Sequence, residues 1–120
     1  MAVGPYWGMS QSPPPRLRHL PTTAVLGHEV SVAQNFRARL LGLAFLSREQ
    51  VGGGLLIPRC ASVHTFGMRF SLDLFFLDER GEPLAIRRHV SPCRVVFARG
   101  AAAVLEVPSP AGGEFSSRPT

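Results

Sequence analysis

Two cysteine–histidine pairs carry the most reactive side chains of this sequence. Cys60 and His64 lie four residues apart, and His89 and Cys93 repeat that spacing in reverse order. Thiolate and imidazole are zinc ligands, so the four side chains have the composition of a Cys2His2 site. Their spacing is not that of a zinc finger or ribbon. Two cysteines also allow two free thiols, which a reducing compartment favours, or a Cys60–Cys93 disulfide.

A nucleophilic role for Cys60 would need a base within hydrogen-bond reach and a third group to orient that base. His64 is the nearest histidine, and Asp73 is a carboxylate inside a strongly apolar segment. A carboxylate on a covered strand must find a partner or shift its pKa. The residues therefore leave three interpretations open: an enzyme that uses Cys60, His64 and Asp73 as nucleophile or acid–base groups, a ligand-binding site, or structural hydrogen bonds and ion pairs.

The segment that must position these groups is 69–77, which has the two-residue period of a β-strand. One face of this strand carries Phe70, Leu72, Leu74 and Phe76, and the other carries Ser71, Asp73, Phe75 and Leu77. Because both faces are largely apolar, we predict a central strand that is covered on both sides. Residues 60–69 are predicted as the loop that leads into it.

The remaining patterns predict short strands and one helix. Residues 22–26 and 29–33 flank Gly27-His28 and are typical of a hairpin with a two-residue turn. Asn35 is placed to cap an amphipathic helix over residues 36–48. Further strands are predicted at 55–57, 83–89, 95–97 and 101–107, the last two as a hairpin. The predicted fold class is α+β: a β-rich single domain with a mostly antiparallel curled sheet or partial barrel and one packed helix.

Length and composition limit the domain organisation and the partners. A chain of 120 residues forms one domain, which we place at 16–113 between disordered Pro/Gly/Ser-rich tails at 1–15 and 114–120. All thirteen basic residues are Arg and are scattered, so no nucleic-acid partner is expected. The sequence shows no apolar run of membrane-spanning length and no secretory signal, so we expect a cytoplasmic protein. We also expect the protein to be bacterial and to be a monomer or weak dimer. No cofactor is indicated.

The segment PRCASVHTFGMRFSLDLFFLDERGEPL, residues 58–84, resembles the central motif of the DUF192 family, also called UPF0127. Three further segments resemble that family in order: 39–43 on the predicted helix, 54–56 at a predicted strand, and 104–108 near the end. The resemblance covers about residues 22–113, which is most of the chain.

This resemblance implies a compact β-rich α+β domain with no established enzyme activity. It marks six motif positions, which are Cys60, His64, Thr65, Met68, Arg69 and Asp73. Relatives often have a large residue where Cys93 stands, so the four-ligand metal set is not a family feature. Many relatives also carry an N-terminal signal or anchor. We therefore predict a small binding or structural module with a polar site near the 60–73 motif. The alternatives are the enzyme and a structural metal site at Cys60, His64, His89 and Cys93.

Overall fold

A computed structural model describes residues 14–110, apart from the side chain of Phe36. The predicted tails, 1–15 and 114–120, lie outside this range except for Pro14 and Pro15. Within it, a 3-10 turn at Pro15–Leu17 precedes eight strands and two short α-helices. The strands are β1 Thr22–Val25, β2 His28–Val32, β3 Leu55–Pro58, β4 Ser62–His64, β5 Leu72–Leu77, β6 Pro83–Val90, β7 Val95–Phe97 and β8 Ala103–Pro108. The helices are α1 Phe36–Leu41 and α2 Arg48–Val51.

Six of the strands form one sheet in the order β1-β2-β3-β8-β5-β6. Neighbouring strands in this sheet are antiparallel, except for the parallel pair β2–β3. Strands β4 and β7 form a separate antiparallel pair. The sheet begins at β1 and ends at β6 without joining them, so it is open and mixed rather than closed into a barrel. The predicted β-rich single domain is confirmed.

Strand β5 is the covered strand that the alternating pattern predicts. It lies between β8 and β6, and all six of its residues are buried. Leu74 and Phe76 belong to the larger apolar core, which the helices cover, whereas Phe75 and Leu77 belong to a second core cluster. The two faces therefore separate as the sequence predicts, with Asp73 on the face of Phe75.

The predicted single helix is wrong, because α1 ends after six residues. The Oδ1 of Asn35 accepts the backbone N–H of Ala38 at 2.7 Å, which confirms the cap. Gly42 then turns the chain with a φ of 57°, and Leu40 is 54% exposed rather than packed on the sheet. A new capping box begins α2 at Ser47. No helix within residues 14–110 is long and apolar enough to cross a membrane.

Two predicted hairpins also differ from the structure. The first hairpin turns at Leu26 and Gly27 rather than at the predicted Gly27 and His28, because His28 pairs with Val25. The φ angles of Leu26 and Gly27, 50° and 83°, are typical of a type I′ turn. The hairpin predicted for the last two strands is wrong, because β7 pairs with β4 and β8 lies between β3 and β5. Residues 104–107 are buried on both faces and so need a central position, whereas Val95 and Phe97 are each about two-thirds exposed.

Candidate functional site

Thr65 connects two loops that the sequence analysis did not relate. Its side chain is fully buried, and its Oγ1 donates to the carbonyl of Ser91 at 2.8 Å and accepts the backbone N–H of Arg94 at 2.8 Å. Its backbone N–H donates to the Arg94 carbonyl, and its carbonyl accepts the N–H of Cys93. Thr65 therefore fixes the connection between β6 and β7 against the end of β4.

His64 uses both ring nitrogens in contacts with the backbone. Nδ1 accepts the N–H of Phe66 at 3.2 Å, and Nε2 lies 3.1 Å from the carbonyl oxygen of Leu40. This pair of contacts assigns the neutral tautomer with its proton on Nε2. The imidazole also stacks on the Phe66 ring at a centroid distance of 5.4 Å. In this conformation the ring has no nitrogen left to act as a base or metal ligand.

Asp73 has partners on three sides and is 4% exposed. Its Oδ1 accepts the N–H of His89 at 3.0 Å and the hydroxyl of Ser109 at 2.7 Å. Its Oδ2 forms an ion pair with Arg88 at 3.0 Å. The carboxylate thus holds together β5, β6 and the residue that follows β8.

The remaining motif positions lie in different environments. The Cys60 thiol contacts the carbonyl of Ser62 at 3.1 Å and packs against the core. Met68 is a core residue, and Arg69 is exposed without a hydrogen bond or ion pair inside residues 14–110. None of the hydrogen bonds of His64 or Asp73 involves Cys60. The motif therefore includes no hydrogen-bonded Cys–His–Asp set.

The two cysteines do not form the alternative disulfide. Both cysteines are free, with Cys93 on the surface. Among residues 14–110, no three His, Cys, Asp or Glu side chains are grouped so that they could hold a metal ion. Cys60, His64, His89 and Cys93 therefore do not form such a group in the described residues.

A cavity of about 420 Å³ lies between α1, with the turn after it, and strand β4. Of the six predicted motif positions His64 lines it, and so does Ser62, which was not among them. Its walls are otherwise mostly apolar, with Arg39 and Glu106 as the residues with acidic or basic side chains. The apolar lining residues are Leu40, Leu41, Ile57, Val63, Phe66 and Val95. A mostly apolar concavity with a few converging polar groups is the usual form of a small-molecule site.

Glu106 contributes a buried carboxyl group to this cavity. It stands in the middle of β8, in register with Leu55 of β3 and Leu74 of β5, and is 2% exposed. Its Oε1 has no hydrogen-bond partner in residues 14–110. Burial raises the pKa of Glu106 to about 8, although the N–H of Leu43 and the charge of Arg16 act in the opposite direction. The group is therefore mainly protonated at neutral pH.

The turn after α1 brings backbone close to this carboxyl. A Cβ at Gly42 would lie 2.8 Å from Oε1 of Glu106, so any other residue at this position would require the carboxyl to shift. Arg16 holds the same turn by donating from Nε to the Gly42 carbonyl at 3.1 Å and from a terminal nitrogen to the Ala44 carbonyl. Burial, followed by repulsion from Arg37, lowers the pKa of Arg16, and Glu106 opposes this.

Glu106 was not among the site residues predicted from the sequence, although the sequence contains a signal for it. Glu106 is a carboxylate inside an apolar strand, the same anomaly that drew attention to Asp73. It also lies in 104–108, one of the segments that resemble the DUF192 family, and Gly42 lies in another, 39–43. The structure brings these two distant segments into contact.

Comparison with known proteins agrees with the fold. The sequence profile of the DUF192 family, described as "Uncharacterized ACR", matches residues 19–116. The crystal structure of a protein of unknown function from Novosphingobium aromaticivorans DSM 12444 is similar with a TM-score of 0.56. The two proteins share 20% sequence identity, over 81% of this chain and 77% of that one, so the likeness concerns the fold alone. No curated protein matches the sequence.

Proposed function

The chain belongs to the DUF192 family, whose function is unknown, and we propose that it is a small-molecule-binding module whose site is the cavity beside α1. One observation carries this proposal: Glu106 lines the cavity, and its buried Oε1 has no partner within the described residues. A buried polar atom left without a partner costs about 1–3 kcal/mol. Such an atom in a residue that lines a cavity is explained if a bound molecule reaches it and supplies the missing partner.

The motif residues divide between this cavity and its support. His64 lines the cavity beside Ser62, whereas Thr65 and Asp73 hold neighbouring strands and loops in place. This division favours a binding module over the enzyme alternative. An acid–base role for His64 would first require the loss of its contacts with Leu40 and Phe66.

Protein-observed NMR with three single-ring probes, benzamide, benzoate and benzamidine, tests the proposal. We expect at least one probe to shift the amide signals of residues 40–42 and 62–66, which form or adjoin the cavity wall. Ser62→Trp places a bulky ring at the cavity wall and should abolish these shifts. Ser91→Trp is the matched control at an exposed serine outside the cavity, and it should leave them unchanged. Absence of binding by all three probes, or equal loss in both variants, would contradict the proposal.

A further inference from the structure

The polar groups of the cavity differ in what they still offer to a ligand. His64 has both nitrogens engaged, and Arg39 donates to the carbonyls of Pro58 at 2.5 Å and Arg59 at 3.2 Å. Glu106 is the one carboxyl among the described lining residues. Its buried Oε1 remains without a partner, so a carboxyl at the cavity wall still lacks a hydrogen bond.

The missing partner of Glu106 is a hydrogen-bond acceptor. A protonated carboxyl has one O–H to donate, and this group is mainly protonated at neutral pH because burial raises its pKa to about 8. Within the part of the chain that the structure describes, the hydrogen bond that acts on this carboxyl comes from another donor, the N–H of Leu43. No acceptor for the carboxyl proton is supplied at Oε1. A ligand that places an acceptor there would satisfy the group.

The charges around the cavity point to the same class of ligand. Arg39 lines the cavity, Arg16 acts electrostatically on Glu106, and Arg37 acts on Arg16. The described lining contains no second carboxyl that would balance a ligand cation. Positive groups in a partly enclosed site repel a cation and accept a neutral or anionic group.

We infer that the ligand is a compact, mostly apolar molecule that presents an acceptor oxygen, a carbonyl or a carboxylate, to the Glu106 carboxyl. This inference rests on the proposed function, because it names the class of molecule for the same cavity. Glu106 acts as the hydrogen-bond donor, and the apolar walls hold the remainder of the molecule.

The three probes separate the possible chemistries because they share a ring and differ in one group. Benzamide offers a neutral carbonyl, benzoate a carboxylate and benzamidine a cation. At pH 6.5 we expect benzamide or benzoate to bind at least about tenfold more tightly than benzamidine. Tighter binding of benzamide would indicate a ligand with a neutral carbonyl, and tighter binding of benzoate a ligand with a carboxylate. Between pH 7 and pH 9 the affinity for benzamide should fall about tenfold, as Glu106 loses its proton.

Two variants connect this pH dependence with Glu106. Glu106→Gln keeps a donor that does not titrate, so it should bind benzamide with an affinity that does not change between pH 7 and pH 9. Glu106→Leu should weaken benzamide binding at least about tenfold at pH 6.5, because it removes the donor. Thermal unfolding establishes that each variant is folded before binding is measured.

Benzamidine as the tightest probe in the cavity would overturn the inference and leave the proposed function intact. The inference would also be overturned if benzamide affinity for Glu106→Gln fell between pH 7 and pH 9 as much as it does for the wild type. By contrast, absence of binding by all three probes would remove the proposed function itself.

Discussion

Gly42 faces Glu106 so closely across the helix–sheet interface that a Cβ at Gly42 would come within 2.8 Å of Oε1. Gly42 ends α1 with a φ of 57°, which side chains rarely adopt. The residue that ends α1 is therefore also the residue that leaves space for the buried Glu106 carboxyl. The positive φ of Gly42 accounts for the end of α1 at Leu41, within the helix predicted over residues 36–48.

Gly42→Ala should destabilise the protein by about 3 kcal/mol, since it combines an unfavourable backbone conformation with crowding against a buried group. Chemical denaturation measures the free energy of unfolding. Gly27→Ala is the matched control, because Gly27 also has a positive φ but has nothing within 4 Å of the added Cβ. Its expected cost is about 1 kcal/mol, from the backbone alone. Equal costs at the two sites would contradict the contact.

Glu106 should make the free energy of unfolding depend on pH. Its folded-state pKa of about 8 lies above the ordinary value of 4.5, so the folded protein holds a proton that the unfolded chain releases. The contribution of this group to stability is greatest below pH 4.5, falls as the pH rises towards 8, and is constant above that. Glu106→Gln does not titrate and should therefore gain stability relative to the wild type between pH 5 and pH 8. A constant difference between the two proteins across this range would contradict the account.

Asp73→Asn should cost about 2 kcal/mol, because it removes the charge at the buried end of an ion pair and sets an amide NH2 against either Arg88 or the His89 N–H. Asp78→Asn is the matched control, since Asp78 accepts the N–H groups of Arg80 and Glu82 in an exposed turn. Its cost should be about 1 kcal/mol or less. Urea unfolding of both variants checks the order. The structural role of Asp73 is wrong if Asp78→Asn proves the more damaging.

Thr65→Val should cost about 2 kcal/mol, because valine matches the shape of threonine but leaves the carbonyl of Ser91 and the N–H of Arg94 without their partner. Thr22→Val on the exposed side of β1 is the control and should be nearly neutral. Amide hydrogen exchange provides a second measurement, in which Thr65→Val should speed exchange at Arg94. Unchanged exchange there would contradict the role of Thr65 as a connector.

The local patterns of the sequence predict much of the sheet. The two-residue period identifies β5 and assigns Phe75 and Phe76 to opposite faces, because strand geometry determines which side a residue faces. Which strands become neighbours depends on contacts between distant parts of the chain. The predicted pairing of 95–97 with 101–107 failed for that reason, since β8 is drawn between β3 and β5 by its apolar residues on both faces.

The candidate site is predicted less well than the fold. The sequence analysis selected His64 and Asp73 by residue type, but their roles depend on partners such as Leu40 and Arg88, whose proximity arises from folding. Glu106 escaped selection because its lack of a partner is a property of the folded cavity. A buried carboxylate can be suspected from an apolar strand, but its unpaired oxygen is seen only in three dimensions.

The most direct test of this account is a carbon-13 NMR titration of the Glu106 side-chain carboxyl, without ligand and with benzamide. We predict a midpoint at about pH 8 in the free protein, and a higher midpoint with benzamide because the ligand binds the protonated form. A midpoint near the ordinary value of 4.5 would contradict the account, as would a midpoint that bound benzamide lowers.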